Sequence, residues 1–123
     1  MDLILREIGT NNIFLTEYKP NRTNTPERLL RMICEIVTYK TSAIDGCQKF
    51  FNKVFKNKTR CITKENIFTA IMFNELGDNG KISPQKAEYE KPNKGIKDLL
   101  KERHVCVFEL THDKDIVLIE DNR

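Results

Sequence analysis

The chain has 123 residues, of which 39% are hydrophobic and 32% charged, and its formal net charge is +3. This length suits one domain with one buried core, so we expect a single domain over residues 1–123. The apolar runs fall far short of the roughly 20 residues that span a bilayer, and charges interrupt the start of the chain. We therefore expect no membrane segment and no secretion signal. The expected location is the cytoplasm, or the host cytosol or nucleus in the case of a viral protein.

The first predicted element is a β-hairpin. Residues 1–8 and 13–18 are apolar runs rich in residues that favour strands, and the four residues between them, Gly9 to Asn12, are typical of turns. We expect the two runs to pair in antiparallel fashion.

Three helices are predicted next. Thr25 is a suitable N-cap and Pro26 a suitable first helical residue, and the apolar residues from Leu29 to Val37 recur at helical spacing. A separate second helix is expected over residues 42–56. A third is expected to begin at a Thr63 cap and to stop at Gly77.

The last part of the chain predicts two helices and a second hairpin. Ser83 followed by Pro84 is typical of a helix start, and this helix must end before Pro92. Asn93 is a suitable cap for a final helix. Residues 105–110 and 116–119 are then expected to form a hairpin around a polar turn.

These elements predict an α+β fold with an N-terminal β-hairpin, a helical middle, and a C-terminal helix followed by a β-hairpin. From residue 63 to residue 123 the expected order, ending in a helix and a two-stranded wing, resembles the pattern of a winged helix. We therefore expect this half of the chain to be winged-helix-like.

Charge favours nucleic-acid binding. Residues 40–64 contain seven basic residues and one acidic residue, the strongest charge asymmetry in the chain, and clustered cations bind phosphates by releasing counterions. A small non-catalytic DNA-binding regulator is the leading hypothesis, with DNA favoured over RNA and with homodimerisation typical of such proteins. Lys94 and Lys97, near the start of the last helix, are expected close to bases. The expected phosphate contacts are Lys49, Lys53, Lys56, Lys58 and Arg60.

The alternative is a small protein that binds and occludes a partner protein, as viral or phage antagonists, anti-CRISPR proteins and immunity proteins do. Exposed strands of the two hairpins can add to a partner's sheet. The acidic residues near the C-terminal hairpin, Asp113, Asp115, Glu120 and Asp121, suit a basic partner.

Catalysis, cofactors and metals are not expected. The four cysteines lack the paired spacing of a zinc module; only His104 and Cys106 lie close in sequence, while Cys34 and Cys47 are expected on apolar helix faces. No glycine-rich phosphate loop or nucleophile motif is present. The sequence Glu17-Tyr18-Lys19 after Asp2 allows a metal-dependent nuclease, but such triplets occur often by chance.

Overall fold

The structure, a computed structural model, describes residues 3–19, 28–54, 63–91 and 94–123. For residues 41–52 and 54 it describes the helical backbone alone. The fold is mixed α+β, as expected. The elements are β1 (Leu3–Arg6), β2 (Ile13–Tyr18), α1 (Leu29–Val54), a 3₁₀ turn (Lys64–Asn66), β3 (Ile67–Asn74), α2 (Pro84–Glu90), α3 (Lys94–Glu102), β4 (Val105–Leu110) and β5 (Ile116–Glu120).

The strands form one sheet in the order β1-β2-β3-β4-β5. The two outer pairs are antiparallel hairpins, which confirms both predicted hairpins. The inner strands β2, β3 and β4 run parallel to one another. Parallel neighbours need long crossover connections, and these are supplied by α1 between β2 and β3 and by α2 and α3 between β3 and β4.

Residues 67–74 form a strand, so the helix predicted from Thr63 to Gly77 is wrong. β3 is the central strand, and its residues from Thr69 to Phe73 are buried on both faces of the sheet. A strand that is apolar on both faces loses the alternating pattern that distinguishes it from a helix. Because this predicted helix opened the winged-helix half, residues 63–123 do not have the order of elements that a winged helix requires.

α1 is one continuous helix of 26 residues, whereas the sequence predicted two separate helices. The stretch from Thr38 to Ser42, where a break was expected, contains neither glycine nor proline, so nothing in it interrupts a helix. The predicted cap residues Thr25 and Pro26 lie outside the described residues. The Glu88 carboxylate of α2 accepts a hydrogen bond from the Leu29 backbone N–H at 2.9 Å and so stabilises the positive end of α1.

The main core lies between the helices and one face of the sheet, the helix face. Ile13, Leu15, Ile71 and Val107 on the strands pack against α1 and α3, which contribute the residues Leu29, Met32, Ile33, Ile36, Ile96 and Leu100. The predicted helices α2 and α3 are confirmed, and Ser83 caps α2 by accepting a hydrogen bond from the Lys86 N–H at 3.0 Å. Within the described residues, no helix is long and apolar enough to cross a membrane.

Candidate functional site

The second face of the sheet is also apolar. The strand registers place Phe14, Phe68, Met72, Cys106 and Phe108 side by side on this face. Leucines extend the cluster to both sheet edges: Leu3 and Leu5 on β1, Leu110 on β4 and Leu118 on β5. The helices of the described residues pack in the main core on the opposite face, so this face lacks a helical layer in that part of the chain.

Three phenylalanines form the centre of this second face. The ring centroids of Phe14 and Phe108 are 5.1 Å apart in an edge-to-face arrangement, and those of Phe14 and Phe68 are 5.7 Å apart. Such geometries stabilise aromatic pairs beyond the area they bury. Phe14 and Phe108 are only 2% and 8% exposed, so their rings form a packed floor. They are therefore unsuited to stacking with the bases of a nucleic acid, which requires exposed ring faces.

An open groove of about 370 Å³ lies over this floor. Phe14 and Phe108 lie beneath it, Leu5 and Ile8 border it on the β1 side, and Ile116 and Leu118 border it on the β5 side. Its polar neighbours are Arg6 and Glu7. Ile8 is 93% exposed and Ile116 is 47% exposed, so apolar surface continues from the groove to the outside of the molecule.

The last residues of the chain bridge the two edges of the sheet beside this groove. The Arg123 guanidinium lies 2.7 Å from Asp121 Oδ2 and 3.1 Å from Glu7 Oε2, and Glu7 follows β1 on the far edge. It also lies 5.5 Å from the centre of the Phe14 ring, close enough for a cation–π contact. Hydrogen bonding to Arg123 lowers the pKa of Asp121 to about 2. Both partners of this ion pair therefore stay charged across the physiological pH range.

β5 forms one edge of the sheet and is apolar at that edge. Ile116, Val117 and Ile119 are all more than a third exposed, and the strand from Ile116 to Glu120 contains no lysine or proline. Natural edge strands are commonly protected from pairing by such residues. Among the described strands β5 pairs with β4 alone, so in this part of the chain its outer edge is open to a further strand.

The predicted nucleic-acid residues that the structure describes lie on two helices, with Lys49 and Lys53 on α1 and Lys94 and Lys97 on α3. Lys53 is exposed in the last turn of α1, and Lys49 lies in the same helix, where the backbone alone is described. Lys56, Lys58 and Arg60 lie outside the described residues. Lys94 is exposed at the start of α3.

Lys97 is turned toward the sheet. Its Nζ lies 3.3 Å from the centre of the Tyr89 ring and 3.6 Å from Glu120 Oε1. Reaching a base would require the lysine to leave both partners. Of the two residues expected near bases, Lys94 alone has its side chain exposed.

A second, polar cavity of about 220 Å³ lies at the carboxyl ends of the inner strands. Tyr18, Asn74 and His112 are among its lining residues, and the Tyr18 hydroxyl donates to Asn74 Oδ1 at 3.0 Å. His112 Nδ1 lies 3.1 Å from Glu75 Oε2. This hydrogen bond, together with the nearby Asp113 charge, raises the pKa of His112 above its usual value. When His112 is protonated, its charge is matched by the carboxylates of Glu75 and Asp113.

The residues of the alternative nuclease hypothesis form an ion-paired network. Glu17 is buried on the helix face, and Lys19 Nζ lies 2.8 Å from Glu17 Oε1 and 3.4 Å from Glu35 Oε2. A hydrogen bond with Glu17, followed by those with Arg31 and Lys19, holds the pKa of Glu35 below its usual value. Asp2 lies outside the described residues.

The cysteines do not form a metal site in the part of the chain that is described. No group of three or more His, Cys, Asp and Glu residues there is arranged to hold a metal ion. Cys106 is buried on the second face, where burial raises the pKa of its thiol, and its Sγ lies 3.7 Å from Asp121 Oδ1. Cys34 is exposed on α1, so its predicted place on the apolar face is wrong: that face is filled by Met32, Ile33 and Ile36.

Neither protein families, nor curated proteins, nor solved structures give a match to this chain.

The groove is not apparent from the sequence. The phenylalanines at the centre of this face, Phe14, Phe68 and Phe108, come from three strands far apart in the chain, and one of these strands was predicted as a helix. The alternation of Leu3 and Leu5 on β1, and of Ile116 and Leu118 on β5, is the sequence signal that a second apolar face exists.

Proposed function

We propose that the protein is a non-catalytic binding protein that holds a partner polypeptide on the second face of its sheet. The observation that carries this proposal is the apolar groove over Phe14 and Phe108, on a face without a helical layer in the described residues. Sheets with parallel inner strands are normally covered on both faces, because both faces are apolar. A partner polypeptide supplies the missing cover.

The size of the apolar surface favours a polypeptide over a small molecule. The groove alone would suit a small ligand, since such pockets start at about 300 Å³. However, the apolar surface extends out of the groove through Ile8 on one side and Ile116 on the other, and both of these side chains are strongly exposed. Exposed apolar surface that continues beyond a pocket is typical of protein–protein interfaces. A protein that binds a polypeptide at this surface would act by occluding or modulating its partner.

Selection from a random peptide library tests the proposal. Peptides that bind the wild-type protein are measured again on Leu118→Lys, which places a charge at the groove, and on Ile82→Lys, which places the same charge at an exposed apolar residue outside it. We expect the first variant to weaken binding at least roughly tenfold, because a buried unpaired charge costs more than about 1.4 kcal/mol. We expect the second variant to bind like wild type. Equal binding to both variants would reject the groove as the site.

Nucleic-acid binding is the second candidate, and the exposure of two lysines favours it. Lys53 at the end of α1 and Lys64 at the start of the 3₁₀ turn are both exposed. They lie on either side of residues 55–62, which contain the three basic residues Lys56, Lys58 and Arg60. Non-specific phosphate binding by such a basic stretch of sequence requires neither a winged helix nor base contacts.

Salt dependence distinguishes the two candidates. Fluorescent duplex DNA and single-stranded RNA are titrated with the protein at low and near-physiological salt. Binding through the basic residues falls steeply with salt and is lost when Lys53, Lys56, Lys58 and Arg60 are all replaced by alanine. If neither DNA nor RNA binds at low salt, nucleic-acid binding is rejected as the function.

A further inference from the structure

The open edge of β5 lies directly beside the groove. Ile116 and Leu118 line the groove, and they belong to an edge strand that pairs with β4 alone among the described strands. An extended chain paired with this edge would place every second side chain on the face of the groove, next to Ile116 and Leu118 at its border, because side chains alternate along a strand.

The hydrogen-bond pattern shows which backbone groups of β5 are available. The Thr111 N–H donates to the Asp115 carbonyl at 2.8 Å, and bonded and non-bonded pairs alternate along an antiparallel ladder. Glu109 with Val117 is therefore a bonded pair, whereas Leu110 with Ile116 is not. In agreement, the Leu110 carbonyl accepts a hydrogen bond at 2.9 Å from the N–H of Glu75, which follows β3 on the side away from β5. The N–H and C=O groups of Ile116, and of Leu118 two residues on, thus face away from β4.

The charges beside β5 indicate the chemistry of the partner. Of the four acidic residues near the strand, Glu120 is engaged by Tyr89, Lys97 and Asn122, and Asp121 is paired with Arg123. Asp113 Oδ1 lies 3.4 Å from His112 Nε2. Asp115, which directly precedes β5, is exposed, and among the described residues it forms no ion pair. A basic residue of the partner would complement Asp115.

We infer that the partner adds as an extended strand to the open edge of β5, with alternate apolar side chains against Ile116 and Leu118 at the border of the groove and a basic residue beside Asp115. This inference rests on the proposed function and specifies its partner. A second copy of this chain is less suitable. Antiparallel pairing of two β5 strands would provide no basic residue of β5 opposite Asp115, because the strand consists of four apolar residues and Glu120.

β1, the other edge, is less suited to this role. It has four residues against five in β5, and short edge strands offer fewer bonds to a partner. The side chain of Arg6 at its end is engaged with the turn, where it donates to the Thr10 carbonyl at 3.1 Å.

Strand addition is tested by an N-methyl scan of a peptide whose binding is weakened by the Leu118→Lys substitution. Each backbone amide of the peptide is methylated in turn, and binding to the full-length protein is measured by fluorescence anisotropy. We expect losses of roughly tenfold at alternate residues and little loss at those between, because one peptide amide in two faces β5. Ile116→Pro should weaken binding more than Ile116→Ala, since proline also removes an outward N–H while the ladder to β4 is kept.

A charge variant tests the basic residue. Asp115→Asn should weaken binding roughly two- to fivefold, the range for exposed ion pairs, and should make affinity less sensitive to salt. Asp98→Asn, at an exposed carboxylate on α3, is the matched control and should leave affinity unchanged.

Three results would overturn the inference. A flat N-methyl scan with a peptide that still requires Leu118 would mean that the groove binds a partner in another conformation, and the proposed function would stand. Equal affinity of the Asp115→Asn variant and wild type would show that the partner does not place a basic residue beside Asp115. Dimerisation of the protein by sedimentation, with the peptide competing against the dimer, would identify a second copy as the occupant.

Discussion

A single carboxylate, Glu120, connects α2, α3 and the end of the sheet. The Tyr89 hydroxyl donates to Glu120 Oε1 at 2.5 Å, the Asn122 side chain donates to Oε2 at 2.6 Å, and Lys97 lies 3.6 Å from Oε1. We expect Glu120→Gln to lower the free energy of unfolding by roughly 1–2 kcal/mol, because a charge-assisted hydrogen bond is weakened. Urea denaturation measures this loss. Asp98→Asn, at an exposed acid, should change the free energy by less than about 0.5 kcal/mol.

The same carboxylate gives stability a pH dependence. Burial acts to raise the pKa of Glu120, but hydrogen bonds from Asn122 and Tyr89 and the nearby Lys97 outweigh burial and hold it below the ordinary value of 4.5. A folded-state pKa below the unfolded one contributes stability that is complete above the unfolded pKa and is lost as pH falls through the folded pKa.

Glu120→Gln should therefore flatten the loss of stability when the pH falls below about 4.5. Urea midpoints measured for wild type and variant from neutral to acidic pH provide the comparison. Parallel curves for the two proteins would show that other acids, such as Asp121, carry the whole dependence.

At the scale of elements, the sequence predicts those that carry local signals. The two hairpins and helices α2 and α3 are bounded by turn residues or by the Ser83–Pro84 start, and all four were predicted. β3 was not predicted, because its apolar residues occupy both faces.

The secondary chemical shifts of the Cα carbons of residues 67–74 test the assignment of β3 as a strand by NMR. Negative values are expected for a strand, and positive values would restore the predicted helix.

The start of α1 depends on a neighbouring helix. Glu88 on α2 accepts from the Leu29 N–H and forms an ion pair with Arg28 at 2.8 Å. We expect Glu88→Ala to cost roughly 1 kcal/mol in the free energy of unfolding, as for the loss of a helix cap. Glu90→Ala on the same helix is the control. Glu90 is about half exposed and lies 3.9 Å from Lys86, so its loss should cost little. Equal losses for the two variants would contradict the capping role of Glu88.

At the scale of the whole molecule, the sequence identified candidate charges but not the surface that the geometry favours. Charge clusters such as residues 40–64 are visible in a sequence because their members are close along the chain. The groove depends on which strands are neighbours and in what register, since Phe14 and Phe108 come together through β3. Sheet order is decided by the packing of the helices against the sheet, and this information is spread over the whole chain.

The most direct test of polypeptide binding at the groove is an NMR titration of the full-length protein with a peptide selected for binding. The amide shifts of every assigned residue are followed as the peptide is added. We expect the largest changes at Leu5, Phe14 and Phe108 and along β5, with small changes at Lys53, Lys64 and Lys94. Changes concentrated at those lysines, with the groove unaffected, would contradict polypeptide binding at the groove. They would favour the exposed lysines as the functional residues.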